Sequence, residues 1–141
     1  MLISEMKSLR GQARREVLEY RRNRDRLAGR DLPEEERARL EKWSRAVTAA
    51  YTYYKRHDPE RARAMVRMFG LYHPVPRRRR LSDRIGRLML DLNVSEATLY
   101  RWQREMLDLV VLNAVETGAL SPFGPGKGPL VPEEQDKIST P

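Results

Sequence analysis

The chain has no cysteine and only two histidines among its 141 residues, which excludes several kinds of metal and redox site. Without thiols it can form neither a disulfide nor a thiolate zinc site. His57 and His73 are too few for an all-histidine metal site, and proline-containing breaks lie close to both, so ordinary surface or capping roles are expected for them. A carboxylate-rich metal site stays open in principle but has no motif, so we predict no metal ligands and no cofactor.

Long apolar runs are also absent. Apolar residues occur in runs of at most a few, whereas about 20 are needed to cross a bilayer. Met1 leads into no secretory pattern. The sequence thus predicts a protein with no membrane association and a cytoplasmic location.

The signatures of an enzyme are missing as well. No pair of carboxylates lies near a candidate nucleophile. The glycine-rich stretch at residues 124–128 lacks the spacing of a phosphate-binding loop and the strand that precedes one. We expect no catalytic residues and no enzymatic activity.

Positive charge is what the sequence has in excess. The formal net charge is +8, and basic side chains outnumber acidic ones by more than two to one in residues 1–30 and again in residues 76–104. The stretch between them is nearly neutral, and residues 105–141 are acidic. Because neutralised phosphates release counterions, basic zones of this kind favour a polyanionic partner.

Apolar periodicity predicts an all-α protein of about five helices. The expected parts are an N-terminal helical extension (1–30), a helical core (31–118) that includes a helix-turn-helix (81–107), and a flexible tail rich in proline and glycine (119–141). The first helix, from Leu2 to about Ala28, has an imperfect heptad pattern. Three arrangements are open for it: packing on its own core, forming a homodimer, or serving as a mobile arm.

Two helices are predicted before the basic segment. Asp31 is placed to cap one that runs from about Pro33 to about Arg56, and Asp58-Pro59 opens the next, which ends near Gly70 to Tyr72. Spacings of three and four predict their buried residues, which are Leu40, Trp43, Val47, Tyr51, Tyr54, Ala62, Met65, Val66 and Phe69.

The last two helices have the pattern of a helix-turn-helix. Asn93 suits the left-handed turn, Val94 the apolar position after it, and Ser95 the cap of the second helix. Ser82 is placed to cap the first. Apolar faces are predicted on both helices, at Ile85, Leu88, Met89, Leu92, Leu99, Trp102, Met106, Leu109 and Val110.

With those residues inside, the outer side of the second helix is predicted to contact double-stranded DNA. Base-edge or phosphate contacts are expected from Glu96, Ala97, Thr98, Tyr100, Arg101 and Arg104. Phosphate contacts are expected from Ser82, Ser95 and the run Arg77, Arg78, Arg79 and Arg80. Trp102 is expected in the core, in phase with Leu99 and Met106.

The segment Asp58-Pro-Glu-Arg, together with residues 81–110 and Val94-Ser-Glu-Ala-Thr-Leu-Tyr-Arg-Trp at their centre, resembles the RinA and ArpU class of phage transcriptional regulators. It is also similar to region 4 of sigma factors. The likeness covers roughly residues 40–116. It implies a small helical protein of phage or prophage origin that binds promoter DNA and activates late genes, with a recognition helix from Ser95 to Leu107.

Two alternatives come from other classes of protein. A phage small terminase subunit, which recognises DNA for packaging, also combines a helix-turn-helix with helical segments that oligomerise. An interaction protein would instead use the amphipathic first helix to bind a partner such as RNA polymerase, with DNA contact secondary.

Overall fold

Six α-helices form the part of the chain that the structure describes, which is residues 3–72 and 81–120 of a computed structural model. They are α1 (Ile3–Leu18), α2 (Tyr20–Ala28), α3 (Glu34–His57), α4 (Pro59–Phe69), α5 (Leu81–Leu92) and α6 (Glu96–Thr117). These ranges contain no strand, so the all-α prediction is confirmed. None of the helices within them is long and apolar enough to span a membrane.

The structure has one helix more than predicted because the expected N-terminal helix is divided at Glu19 into α1 and α2. There the backbone has φ −98° and ψ 5°, although the amides of Glu19 and Asn23 still donate to carbonyls four residues earlier. The apolar residues of α1 and α2 lie in the same core cluster as those of α3 to α6; they are Leu9, Ala13, Val17 and Tyr20. These two helices therefore pack on the rest of the chain.

The antiparallel pair α3 and α6 forms the centre of the fold. At one end the Thr117 hydroxyl donates to the Lys42 carbonyl at 3.0 Å, so the start of α3 meets the end of α6. At the other end, Tyr54 near the end of α3 lies within electrostatic reach of Glu105 in the first half of α6. The predicted stripe of α3 is buried except for Tyr51, which is partly exposed.

Helix α4 begins and ends as predicted. The Asp58 carboxylate accepts a hydrogen bond from the Arg61 amide at 3.3 Å, with Pro59 at the first helical position. The helix ends at Gly70, whose φ of 65° places it in the left-handed region that a side chain would disfavour. Its core-facing residues are Ala62, Ala64, Met65, Met68 and Phe69, while Val66 is only partly buried.

The prediction that Asp31 caps α3 is wrong. Pro33 precedes the helix in an extended conformation (φ −56°, ψ 149°), which moves the helix start to Glu34 and leaves Asp31 too far upstream. No side chain caps α3. The α2–α3 connection is held instead by the Arg37 guanidinium, which donates to the carbonyls of Leu27 at 2.8 Å and of Gly29 at 2.6 Å.

The packed core extends two residues past the boundary predicted for it. Gly118 ends α6 in the left-handed region, and the Leu120 amide then donates to the Ala114 carbonyl at 3.0 Å. The Leu120 side chain is buried in the core cluster. The remainder of the predicted tail, residues 121–141, lies outside the described residues.

Candidate nucleic-acid interface

A three-residue turn joins α5 to α6 and sets the position of the α6 N-terminus. Asn93 has φ 56°, in the left-handed region that asparagine tolerates better than most residues. Val94 packs against the core, and its amide donates to the Met89 carbonyl at 3.3 Å. The Ser95 hydroxyl accepts from the Thr98 amide at 3.1 Å, so it caps α6. The roles predicted for all three turn residues are confirmed.

One side of α6 belongs to the core. Leu99, Trp102, Met106 and Val110 are buried, as are Ile85 and Leu88 of α5, while Leu109, Met89 and Leu92 are partly buried. Since these side chains hold the inner side, the outer side of the first three turns is open to solvent. The exposed residues there are Glu96, Ala97, Arg101, Arg104 and Glu105. We call the first four, which were predicted to contact DNA, the α6 outer face.

Two of the residues predicted on this face are only partly exposed. Tyr100 packs against the core cluster. Thr98 is also partly buried, and its amide and hydroxyl both bond to the Ser95 hydroxyl. The run Arg77, Arg78, Arg79 and Arg80 and the side chain of Ser82 lie outside the described residues.

The two arginines of the α6 outer face differ in their electrostatic surroundings. Arg101 Nε lies 4.0 Å from a Glu105 carboxylate oxygen, but Glu105 is held more closely by Arg61, at 2.6 Å. Arg104 makes no ion pair with any described residue. Arg104 therefore has the less compensated charge, and Arg101 shares its carboxylate with a second guanidinium.

Two acidic residues that follow on α6 are paired with arginines of other helices. Asp108 accepts two hydrogen bonds from the Arg10 guanidinium of α1, at 2.8 and 3.3 Å. Glu105 is paired with Arg61 of α4, whose guanidinium also lies 5.1 Å from the centre of the Trp102 ring. These pairs remove much of the negative charge that would repel a polyanion next to the α6 outer face.

Helix α5 adds two basic residues that were not among the predicted DNA contacts. Arg87 is exposed, and Arg84 is partly buried with its Nε donating to the Met68 carbonyl at 3.2 Å. Burial, and then the positive charge of Arg14 on α1, lower the pKa of Arg84. In the sequence, Arg84 and Arg87 could have been recognised as neighbours on one side of α5, because they are three residues apart and flank the apolar stripe. The proximity of Arg14, 70 residues earlier, has no signal in the sequence.

The described residues contain no group of three histidine, cysteine, aspartate or glutamate side chains that could hold a metal ion. The polar groups near α6 include guanidinium groups, hydroxyls and the capped helix N-terminus, which suit an anionic ligand. Three carboxylates stand among them, of which Glu105 and Asp108 are paired with arginines and Glu96 is exposed. Comparisons of the chain with protein-family models, with curated proteins and with solved structures gave no match.

Proposed function

We propose that this protein binds double-stranded DNA through a helix-turn-helix formed by α5 and α6, and that it acts as a sequence-specific transcriptional regulator of the phage or prophage type. One observation carries the proposal. The first turns of α6 expose two arginines on one side while their other side is buried in the core. That division fits a recognition helix, which must enter the major groove and stay anchored to its domain.

The contacts follow from side-chain chemistry. Arg104 and Arg101 suit a guanine edge or a phosphate, Ala97 suits a thymine methyl group, and Glu96 suits a cytosine amino group. The N-terminus of α6 carries unpaired backbone amides that suit a phosphate. Arg87 on the first helix of the unit suits the DNA backbone, which that helix crosses in this class of motif. The run of arginines at 77–80 is proposed to add phosphate contacts.

The first helix bears on the choice between transcription and DNA packaging. A small terminase subunit would need surfaces that build a large closed ring. The apolar stripe of α1 is already covered within one chain, and Arg10, one of its heptad positions, is paired with Asp108. The α1 stripe is therefore not available to build a ring, which counts against packaging and for transcription. Solution molar mass discriminates between the two, because a large ring would support packaging instead.

Selection from random duplex DNA tests the proposed function. The purified chain is expected to enrich a defined site and then to prefer that site over random duplex at about 150 mM salt, where nonspecific electrostatic binding is weakened. A palindromic site would indicate a symmetric dimer. Recovery of no consensus, together with equal binding to every duplex, would contradict the proposal.

A further inference from the structure

An open groove lies between α3 and α4, with a volume of about 590 Å³. Its apolar part is formed by Tyr51, Ala62, Val66, Tyr72 and Pro59, and its charged residues are Lys55, Arg63 and Arg67. The groove thus has an apolar floor and a rim whose charged residues are all positive. No acidic side chain lines it.

The three basic residues are not equally available. Arg67 is engaged by Asp91 of α5 in an ion pair at 2.5 Å. Lys55 and Arg63 are exposed, and neither forms an ion pair with a described residue. Two uncompensated positive charges therefore stand beside apolar surface, a combination complementary to carboxylates that flank an apolar side chain.

The aromatic residues of the groove are poorly arranged for stacking a nucleobase. The Tyr72 ring meets Tyr20 and Tyr51 edge to face, at interplanar angles of 88° and 62°. The Arg24 guanidinium lies over the same ring, 5.3 Å from its centre, and so occupies space that a stacked base would need. Base stacking needs an open aromatic face, so this floor suits an aliphatic or aromatic side chain of a protein better than a base.

The groove is also separate from α6. At 3.6 residues per turn, Pro59, Ala62, Arg63 and Val66 share one side of α4. Arg61 points to the opposite side, where it contacts Trp102 and Glu105 of α6. Helix α4 therefore stands between the groove and α6, and a ligand in the groove leaves the α6 outer face uncovered.

We propose that this groove docks an acidic segment of a partner protein, with one large apolar side chain on the floor and carboxylates paired with Lys55 and Arg63. This inference does not depend on the proposed DNA binding, because it uses a different face of the molecule. It supplies a partner surface in place of the first helix, whose apolar residues lie in the core cluster, with α1 packed against α6.

A synthetic peptide tests the docking site on the full-length chain. The probe is a fluorescently labelled 16-residue peptide of aspartate and glutamate with central leucine and phenylalanine residues, and its comparison peptide has serine at those apolar positions. Fluorescence anisotropy at about 150 mM salt is expected to show saturable binding of the first peptide and at least roughly tenfold weaker binding of the second, since both charge and apolar contact are required.

Charge reversal locates the peptide. The double variant Lys55→Glu with Arg63→Glu is expected to weaken binding at least roughly tenfold, because it replaces both uncompensated cations. The matched control, Arg45→Glu with Arg56→Glu, changes two exposed arginines of α3 that do not line the groove, and should stay within about twofold. Circular dichroism confirms that both variants are folded.

Three results would overturn the docking site: no binding of the acidic peptide, equal loss in the control variant, or unchanged affinity after reversal at Lys55 and Arg63. Duplex DNA provides the remaining comparison. Its affinity should change equally in the two double variants. A selective loss of DNA binding on reversal at Lys55 and Arg63 would assign the groove to nucleic acid and exclude the protein segment. Failure of DNA binding by the unaltered chain would leave the peptide result standing.

Discussion

At the level of single residues, the arginines around α6 divide into those that hold helices together and those that are free for a ligand. Arg10 and Arg61 connect α1 and α4 to carboxylates of α6, at 2.8 and 2.6 Å. Arg104 has no such partner among the described residues. Substitution of Arg10 or Arg61 is therefore expected to affect stability, and substitution of Arg104 to affect DNA binding. The amino-acid composition alone does not distinguish these two groups of arginines.

Arg104→Ala is expected to weaken binding to a selected DNA site by about 1 to 3 kcal/mol if the side chain reads a base, and to relax preference at one position. Arg45→Ala is the control, since Arg45 is exposed on α3 one turn from Lys42, at the end of α3 that meets the C-terminus of α6. Electrophoretic mobility shift with matched and mismatched duplexes measures both. Equal losses on every duplex would assign Arg104 to phosphate.

Trp102→Ala is expected to destabilise the fold by about 3 to 5 kcal/mol, because it empties a buried site and removes the ring beneath the Arg61 guanidinium. Tyr53→Ala is the control, since Tyr53 is half exposed and contacts Tyr54 and His57 at the surface. Urea denaturation followed by circular dichroism gives both values. A loss below about 1 kcal/mol at Trp102 would show that the ring is not in the core.

At the level of elements, the sequence predicts the α5–α6 turn correctly but not the cap of α3 or the break between α1 and α2. The α5–α6 turn follows from Asn93, Val94 and Ser95 because each residue has one strong conformational preference there. The cap of α3 was predicted wrongly because Asp31 and Pro33 are both favourable near a helix start, and Pro33 itself takes the position that precedes the helix. The break at Glu19 likewise has no proline or glycine to mark it.

The α5–α6 turn makes a prediction at this scale. Asn93→Val is expected to destabilise the protein by about 1 to 3 kcal/mol, because a β-branched residue is strained at φ 56°, whereas Asn93→Gly should be close to neutral. Asn93 is exposed, so lost burial does not complicate the comparison. Thermal and urea unfolding provide the test. Equal stability of the two variants would mean that the turn does not adopt this conformation in solution.

At the level of the whole molecule, contacts between the ends of the chain place the candidate site. Arg10 and Asp108 are 98 residues apart, and Arg14 approaches Arg84 across 70. Apolar periodicity identifies which side of α1 is buried but not what covers it, so the sequence left three arrangements open. The structure has α1 against the core, where its charged side contributes to the surroundings of α5 and α6.

A matched pair of leucines on α1 tests this packing. Leu9→Ala is expected to cost about 2 to 5 kcal/mol, since Leu9 is fully buried, while Leu18→Ala should change stability by less than about 0.5 kcal/mol because Leu18 is 44% exposed. Unfolding at two protein concentrations completes the test. Similar small effects at both positions would favour a mobile arm, and a midpoint that rises with concentration would favour a dimer.

The proposed DNA binding requires the α6 outer face to enter the major groove, and the absence of cysteine allows a direct measurement of that contact. Ala97→Cys and Leu112→Cys each introduce a single thiol at an exposed position of α6, roughly 22 Å apart along the helix. Each thiol is labelled with an azidophenacyl photocrosslinker, and the protein is irradiated on its selected duplex. We expect crosslinks to bases from position 97 and few or none from position 112. Crosslinks from position 112 alone, or from neither position while DNA remains bound, would contradict the proposed contact.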